Sequence, residues 1–309
     1  MGVKESKMKK TIFILSTLLI GATLAAQQIP ISENYFLDKY SFAPSYAGNF
    51  NSKFLFLGYR SDWSGIDGGP KTYRLSFNNN FMKNAGYGVK MTYDKAGIFN
   101  QLYILGSYSY RLKVNENNNI LFGLSAGIYS NTLNILDYYN DPNYNVDPSL
   151  IDQDVKSKLK FMSDASVVWI LQRWETGFMF SNINFGDAKY EDVDVKYKPL
   201  ANFQFHTTYD FKAGENFDIV PLIILRGGKY IKSQFEIAAQ VLYQNKVWGS
   251  LAFRDPGVWG AGIGFNITKG LKLAYNFNFA SGVALNVFNN HEFNLGFNIF
   301  EYIGKKQEI

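Results

Sequence analysis

Leu271 to Ala280 reads "LKLAYNFNFA". In an extended chain Leu271, Leu273, Tyr275, Phe277 and Phe279 fall on one side. Lys272, Ala274, Asn276, Asn278 and Ala280 fall on the other. A strict period of two is the signature of a β-strand with one apolar and one polar face. The pattern recurs in Phe235, Ile237, Ala239, Val241 and Tyr243 against Glu236, Ala238 and Gln240. It recurs in Phe203, Phe205, Thr207, Tyr209 and Phe211 against Gln204, His206, Thr208 and Asp210, and in Phe293, Leu295, Phe297 and Ile299 against Glu292, Asn294, Gly296 and Asn298.

Segments of this kind are about 9–12 residues long, the length a tilted strand needs to cross a bilayer. About fourteen can be placed, an even number as expected of a single-chain bacterial barrel. They lie near 53–61, 71–82, 86–94, 101–112, 120–131, 161–171, 173–181, 200–212, 217–226, 234–243, 246–254, 258–267, 270–280 and 291–300. The fold expected is all-β: a transmembrane antiparallel up-and-down β-barrel. A soluble sandwich also shows period-two strands. Composition decides against it. Of 309 residues 17% are aromatic, with 27 Phe and 21 Tyr, and only 18% are charged. Closure also pairs every backbone N–H and C=O without help from water, which lipid demands.

Connection lengths follow the barrel pattern of short turns at one end and longer loops at the other. Lys83 to Ala85, Gln172, Lys212 to Asn216, Gln244-Asn245 and Thr268-Lys269 are the short set. Asn131 to Lys160 and Asn182 to Pro199 are the longest connections. Asp255-Pro256-Gly257 is short where a long loop is expected.

Residues 8–27 read "MKKTIFILSTLLIGATLAAQ". Lys9 and Lys10 precede an apolar stretch from Thr11 to Leu24, and Ala25-Ala26 precede Gln27. This is the layout of a secretory signal peptide. Its apolar run falls short of the roughly 20 residues of a spanning helix. The expected division is a signal peptide over 1–26 with translation starting at Met8, an N-terminal periplasmic or plug segment over 27–52, a barrel over 53–300 and a tail over 301–309. The expected location is the outer membrane of a Gram-negative bacterium, termini periplasmic.

Little in the sequence points to catalysis. There is no cysteine, which removes disulfides, thiolates and Cys-based metal sites. His206 and His291 are the two histidines, and neither has metal-site spacing. No phosphate-binding loop or nucleophile elbow is present. The net charge of +5 comes without a basic block, so nucleic acid is not an expected partner. No cofactor and no metal is expected, and an enzyme is not; a surface hydrolase is the weakest alternative. Two loops interleave acids with tyrosines. Asp137, Tyr138, Tyr139, Asp141, Tyr144, Asp147, Asp152 and Asp154 lie in one; Asp187, Glu191, Asp192 and Asp194 lie in the other. They are either solvated loops or a partner-docking surface, since exposed tyrosines enrich interfaces.

The stretch "QQIPISENYFLDKYSFAPSYAG", Gln27 to Gly48, resembles the mature N-terminus of the PorP/SprF family of type IX secretion and gliding systems. Tyr35, Pro44, Tyr46, Ala47 and Gly48 carry the match, and Ala43 stands where the family usually has Asn. "RSDWSGIDGGPKTYRLSF" is similar to a second family segment through Arg60, Trp63, Gly65, Gly69, Pro70 and Thr72. Leu121 to Tyr129 and "HEFNLGFNI" also look like family segments. The resemblance implies a non-enzymatic outer-membrane component of protein secretion. Its implied partners are the secretion machinery, outer-membrane lipid and a secreted cargo such as a large adhesin.

The alternative is a diffusion or hydrophobic-solute channel, because a barrel of this size encloses a lumen unless something fills it. Gly88, Ala238, Ala274 and Ala280 are small inward residues that would leave room. Against this, Tyr35, Phe36, Tyr40, Phe42 and Tyr46 would be costly to leave in water, each worth on the order of 2–3 kcal/mol when buried. The segment is therefore expected to fold into the barrel mouth or lumen, with Pro44 and Gly48 turning the chain toward the first strand; the alternative is a flexible periplasmic leader ordered only by a partner.

Overall fold

The computed structural model describes residues 32–50, 52–134, 155–157, 159–184, 188–189, 196–197, 202–228, 231–280 and 289–300. The expected signal peptide and C-terminal tail lie outside them.

Fourteen antiparallel strands form a closed ring. They are β1 Phe54–Ser61, β2 Lys71–Met82, β3 Ala85–Ala96, β4 Phe99–Asn115, β5 Asn118–Leu133, β6 Lys160–Leu171 and β7 Trp174–Asn184. Then come β8 Asn202–Tyr209, continued after Asp210 by Phe211–Ala213, β9 Phe217–Gly228, β10 Ile231–Tyr243 and β11 Val247–Arg254. β12 Val258–Thr268, β13 Leu271–Ala280 and β14 Asn290–Asn298 complete the ring. Each strand pairs with the next in sequence, and β1 pairs with β14 from Phe54↔Asn298 to Ser61↔His291. No edge is left to template another chain.

The faces divide as the period-two pattern requires, and in the sense of a membrane protein. Phe293 is 53% exposed on the outside, while its neighbour Glu292 is 1% exposed inside. Leu251, Ile237 and Leu273 point out; Glu236, Gln240, Asn276 and Asn278 are buried within. A soluble sandwich would bury the first set and hydrate the second.

Aromatic contacts gather at both ends of this outer band. At the loop end Tyr73 touches Tyr59 at 5.2 Å and Tyr93 at 6.3 Å between ring centroids, and Tyr275 touches Phe293 at 4.8 Å. At the turn end Phe81 meets Tyr87 and Tyr108, and Tyr209 meets Trp174 and Phe211. Such girdles mark the two interfaces of a membrane barrel.

The strands run longer than the sequence pattern indicates, as in β4 and β5, because pairing continues past the apolar band. Gln172 shares its turn with Arg173. Gln244 and Asn245 both take positive φ, 48° and 57°, as a tight hairpin turn needs.

Inside the barrel lies the segment from Ser32 to Phe50. It holds a 3₁₀ turn at Asn34–Phe36, one helical turn α1 at Lys39–Phe42 and a second 3₁₀ turn at Pro44–Tyr46. Asp38 caps α1 by accepting from the Ser41 N–H at 3.3 Å. Pro44 opens the second turn, where its missing N–H costs nothing. Tyr35, Leu37, Tyr40 and Tyr46 are buried against inward side chains of the wall.

The expectation of a roomy lumen is corrected at three positions. Ala238 packs in the cluster of Tyr35, Leu222 and Ile224. Ala274 packs with Leu37, Phe54, Phe56 and Trp248. Gly88 faces the Tyr40 ring so closely that an added Cβ would lie 2.4 Å from Cζ. These small residues are seats for the inner segment, since a large side chain at any of them would occupy its space.

Candidate functional site: the lumenal segment

The segment is held from the loop end to the turn end. Near the loop end Glu292 accepts from the Ser32 hydroxyl at 2.7 Å, the Glu33 N–H at 3.0 Å and the Asn34 amide at 2.9 Å. Arg60 and Arg74 reach the same carboxylate at 3.3 and 3.4 Å. Glu33 pairs with Arg254, lies 3.7 Å from Arg60 and accepts from Asn278 at 2.7 Å. Arg254 also donates to Glu236 at 2.8 Å, which holds Arg226 at 2.5 Å. Each buried charge of this loop-end cluster has an opposite charge within about 4 Å, the condition under which burial is tolerated.

In the middle, Asp38 accepts from Ser76, and Tyr40 bonds Ser107 at 2.9 Å, which in turn bonds Ser125 at 2.7 Å. Lys39 pairs with Glu175 at 2.7 Å and sits 4.5 Å from the Phe50 ring centroid. The Tyr46 hydroxyl donates to Glu175 at 3.1 Å and bonds His206 Nε2 at 2.9 Å. Tyr35 and Phe42 pack edge-on to one another at 4.6 Å and both flank the His206 ring.

Toward the turn end the Ser45 N–H donates to Ser166 at 2.9 Å, and Ser109 donates to the Ala47 carbonyl. The Gly48 N–H donates to Asn78 at 2.9 Å, and Arg111 donates to Asn49 at 2.8 Å. Gly48 has φ 68°, which favours glycine, and its backbone lies against Gly86. At Gly123 the approach is closer still: a Cβ there would stand 2.0 Å from the Ser45 nitrogen.

The first family-like stretch thus becomes a packed insert, with Tyr46, Ala47 and Gly48 at its most tightly held end. The second supplies Arg60 to the clasp around Glu33 and Glu292. Beyond β1, Asp62 accepts from Arg60 at 2.8 Å and donates its N–H to the Pro70 carbonyl at 2.9 Å, closing the loop that holds Trp63, Gly65 and Gly69. Burial raises the Asp62 carboxyl above its ordinary pKa, against the opposing pull of Arg60. Trp63 is partly exposed, and its N–H donates to Asn290 at 3.2 Å. Thr72 donates to Asp94 at 2.6 Å. Tyr138, Tyr139, Tyr144, Asp137, Asp141 and Asp147, the candidate docking residues, lie outside the described residues, as do Asp152, Asp154, Asp187, Glu191, Asp192 and Asp194.

Sequence reasoning placed His206 on the inner face and missed that it is fully buried against the insert. It also missed Glu33, Glu175, Glu236 and Glu292. For Glu175, Glu236 and Glu292 the signal was present: charged residues on inward positions of strands whose outward positions are apolar; Glu33 lies on no strand and gave none. Among the described residues no group of three or more His, Asp or Glu side chains could hold a metal ion.

Tyr46→Phe is expected to lower stability by about 1–3 kcal/mol, because Glu175 and His206 lose a buried partner. Thermal unfolding in detergent checks this; an unchanged midpoint would contradict the assigned bonds.

Among solved structures, the Acinetobacter baumannii outer membrane protein Omp33 is similar at 10% identity and TM-score 0.47, covering 79% of this chain and 96% of its own. The CymD monoaromatic hydrocarbon channel is similar at 13% identity and TM-score 0.48, covering 87% and 92%. Scores this low carry no argument, and the fold rests on the strand pairing. The comparison with curated proteins found no match. The family model for the type IX secretion system membrane protein PorP/SprF matches residues 24–297. With a clasped insert inside a closed barrel, and that match spanning nearly the whole of both, the chain belongs to the PorP/SprF family of type IX secretion system membrane proteins.

Proposed function

We propose that this chain is a non-enzymatic outer-membrane component of type IX secretion that binds a partner protein at its loop end and helps export it or hold it at the cell surface. The turn end, where β1 begins and β14 ends, faces the periplasm, and the loop end, beside which Ser32 lies, faces outward. The partner is a secreted cargo of the large-adhesin kind, with the secretion machinery engaged from the periplasmic side. One observation carries the reading: residues 32–50 run through the lumen, bonded to strands around the ring, and leave beside them a cavity of about 210 Å³. A barrel filled in this way suits a role in holding protein rather than in conducting small molecules.

Two experiments test it. Deletion of the gene is expected to leave one large surface protein missing or released, with nutrient uptake unchanged; normal display of every type IX substrate would contradict the reading. Orientation has its own test, because the chain has no cysteine. Ile66→Cys, in the exposed loop after β1, is expected to react with a membrane-impermeant maleimide on intact cells. Labelling only after lysis would reverse the orientation.

A further inference from the structure

Charge is unevenly placed on this barrel. At the loop end Arg60, Arg74, Arg226 and Arg254 are all engaged by carboxylates. At the turn end Lys53 precedes β1, Lys83 lies between β2 and β3, and Lys113 is near the end of β4. Arg173 lies between β6 and β7, Lys246 between β10 and β11, and Lys269 between β12 and β13. All six are exposed, and among the described residues none of them makes an ion pair. Against them stand two exposed acids of the same end, Glu116 and Glu215, also without an ion pair. Lys212 is already bonded to Asp218 at 2.7 Å.

The six cations are spread around the ring and not gathered on one side. Successive turns at this end are two strands apart, about 10 Å or more at sheet spacing. That is about the Debye length at physiological salt, so each cation acts largely alone. The turn-end aromatic girdle lies directly beside them. Phe81 is two residues before Lys83, and Trp174 follows Arg173. Tyr243 is three residues before Lys246 and accepts its N–H at 2.9 Å. Exposed aromatic rings of this kind sit at headgroup level, and long cationic side chains beside them extend to the polar layer. One acidic protein would need a matching ring of carboxylates on the order of 70 Å around to meet all six. A leaflet of separate, singly charged headgroups meets each of them wherever it stands on the circumference.

We propose that the turn end binds anionic phospholipid headgroups through this ring, one phosphate to each cation. The proposal holds whichever side of the membrane the turn end faces, and it does not rest on the secretion role. The protein is reconstituted in nanodiscs of phosphatidylcholine mixed with phosphatidylglycerol, and the lipid that stays bound is counted by native mass spectrometry. Wild type is expected to prefer phosphatidylglycerol about fivefold at each position, as for one cation near an anionic surface. Lys83→Gln/Lys113→Gln/Lys246→Gln/Lys269→Gln is expected to lose the preference at four positions. Its unfolding midpoint is expected to be unchanged, because all four side chains are exposed. Glu116→Gln/Glu215→Gln is expected to retain more phosphatidylglycerol than wild type. In 1 M salt, where the Debye length is about 3 Å, the wild-type preference is expected to shrink. Equal phosphatidylglycerol retention by all three proteins, which unselective annular lipid would give, overturns the proposal. A fourfold lysine variant that keeps its lipid preference but no longer co-purifies with a periplasmic protein overturns it as well, and assigns the ring to an acidic protein.

Discussion

Gly123→Ala is expected to unseat the lumenal insert. The added methyl would stand 2.0 Å from the Ser45 nitrogen and 2.4 Å from the Pro44 carbonyl carbon, both backbone atoms. No side-chain rotation relieves such a contact. Either β5 bends outward, against its pairing with β4 and β6, or the Pro44–Tyr46 turn lifts away. The turn is the weaker partner. Lifting it breaks the Ser45–Ser166 bond and pulls the Tyr46 hydroxyl from His206 and Glu175. Overpacking alone costs about 1–3 kcal/mol, and more where backbone must move. The expected result is a lower unfolding midpoint in detergent together with the appearance of ion conductance. Gly106→Ala is the control: that Cβ would point outward with nothing nearer than the Ala126 oxygen at 3.9 Å. Equal behaviour of the two variants would show that the close approach at Gly123 has no energetic consequence.

Glu292→Ala should be the most destabilising single change in the clasp. The carboxylate is 1% exposed and serves Ser32, Glu33, Asn34, Arg60 and Arg74. Its removal leaves two neighbouring guanidinium groups in a buried site without their shared counter-charge. Breaking a buried pair from one side costs about 3–5 kcal/mol. The loss shows as a lower unfolding midpoint and as faster proteolysis of the Ser32–Asn34 end. Combining Glu292→Ala with Arg60→Ala should cost less than the sum of the two, since both changes remove the same Arg60–Glu292 pair. Additive losses would mean that Glu292 and Arg60 act independently.

These two sites differ in how far the sequence discloses them. The barrel was legible almost strand by strand, because lipid on one side and a polar lumen on the other force alternation over many residues. "LKLAYNFNFA" contains that rule in ten residues, and β13 occupies Leu271–Ala280. The insert was legible as a cost: five aromatic side chains in a segment fit for neither strand nor helix had to be buried somewhere. Its seats were not legible. Gly88 and Ala274 read as empty space, because a small residue has the same appearance whether it lines a channel or accommodates a ring from elsewhere in the chain. Only the three-dimensional path of residues 32–50 distinguishes the two. The clasp stood between these cases. Arg60, Glu236, Arg254 and Glu292 fell on inward positions, but period-two reasoning assigns a face and not a partner. The Glu33 contacts, more than 200 residues away in sequence at Arg254 and Asn278, follow only from closure of the ring.

The central claim, that residues 32–50 close the lumen so that the barrel holds protein and does not conduct solute, is tested most directly by planar-bilayer recording. Purified full-length protein is compared with a form lacking residues 32–50. The account predicts a quiet baseline for the full-length chain and steady ohmic conductance for the deletion. Steady conductance from the intact protein, equal to that of the deletion, would contradict it.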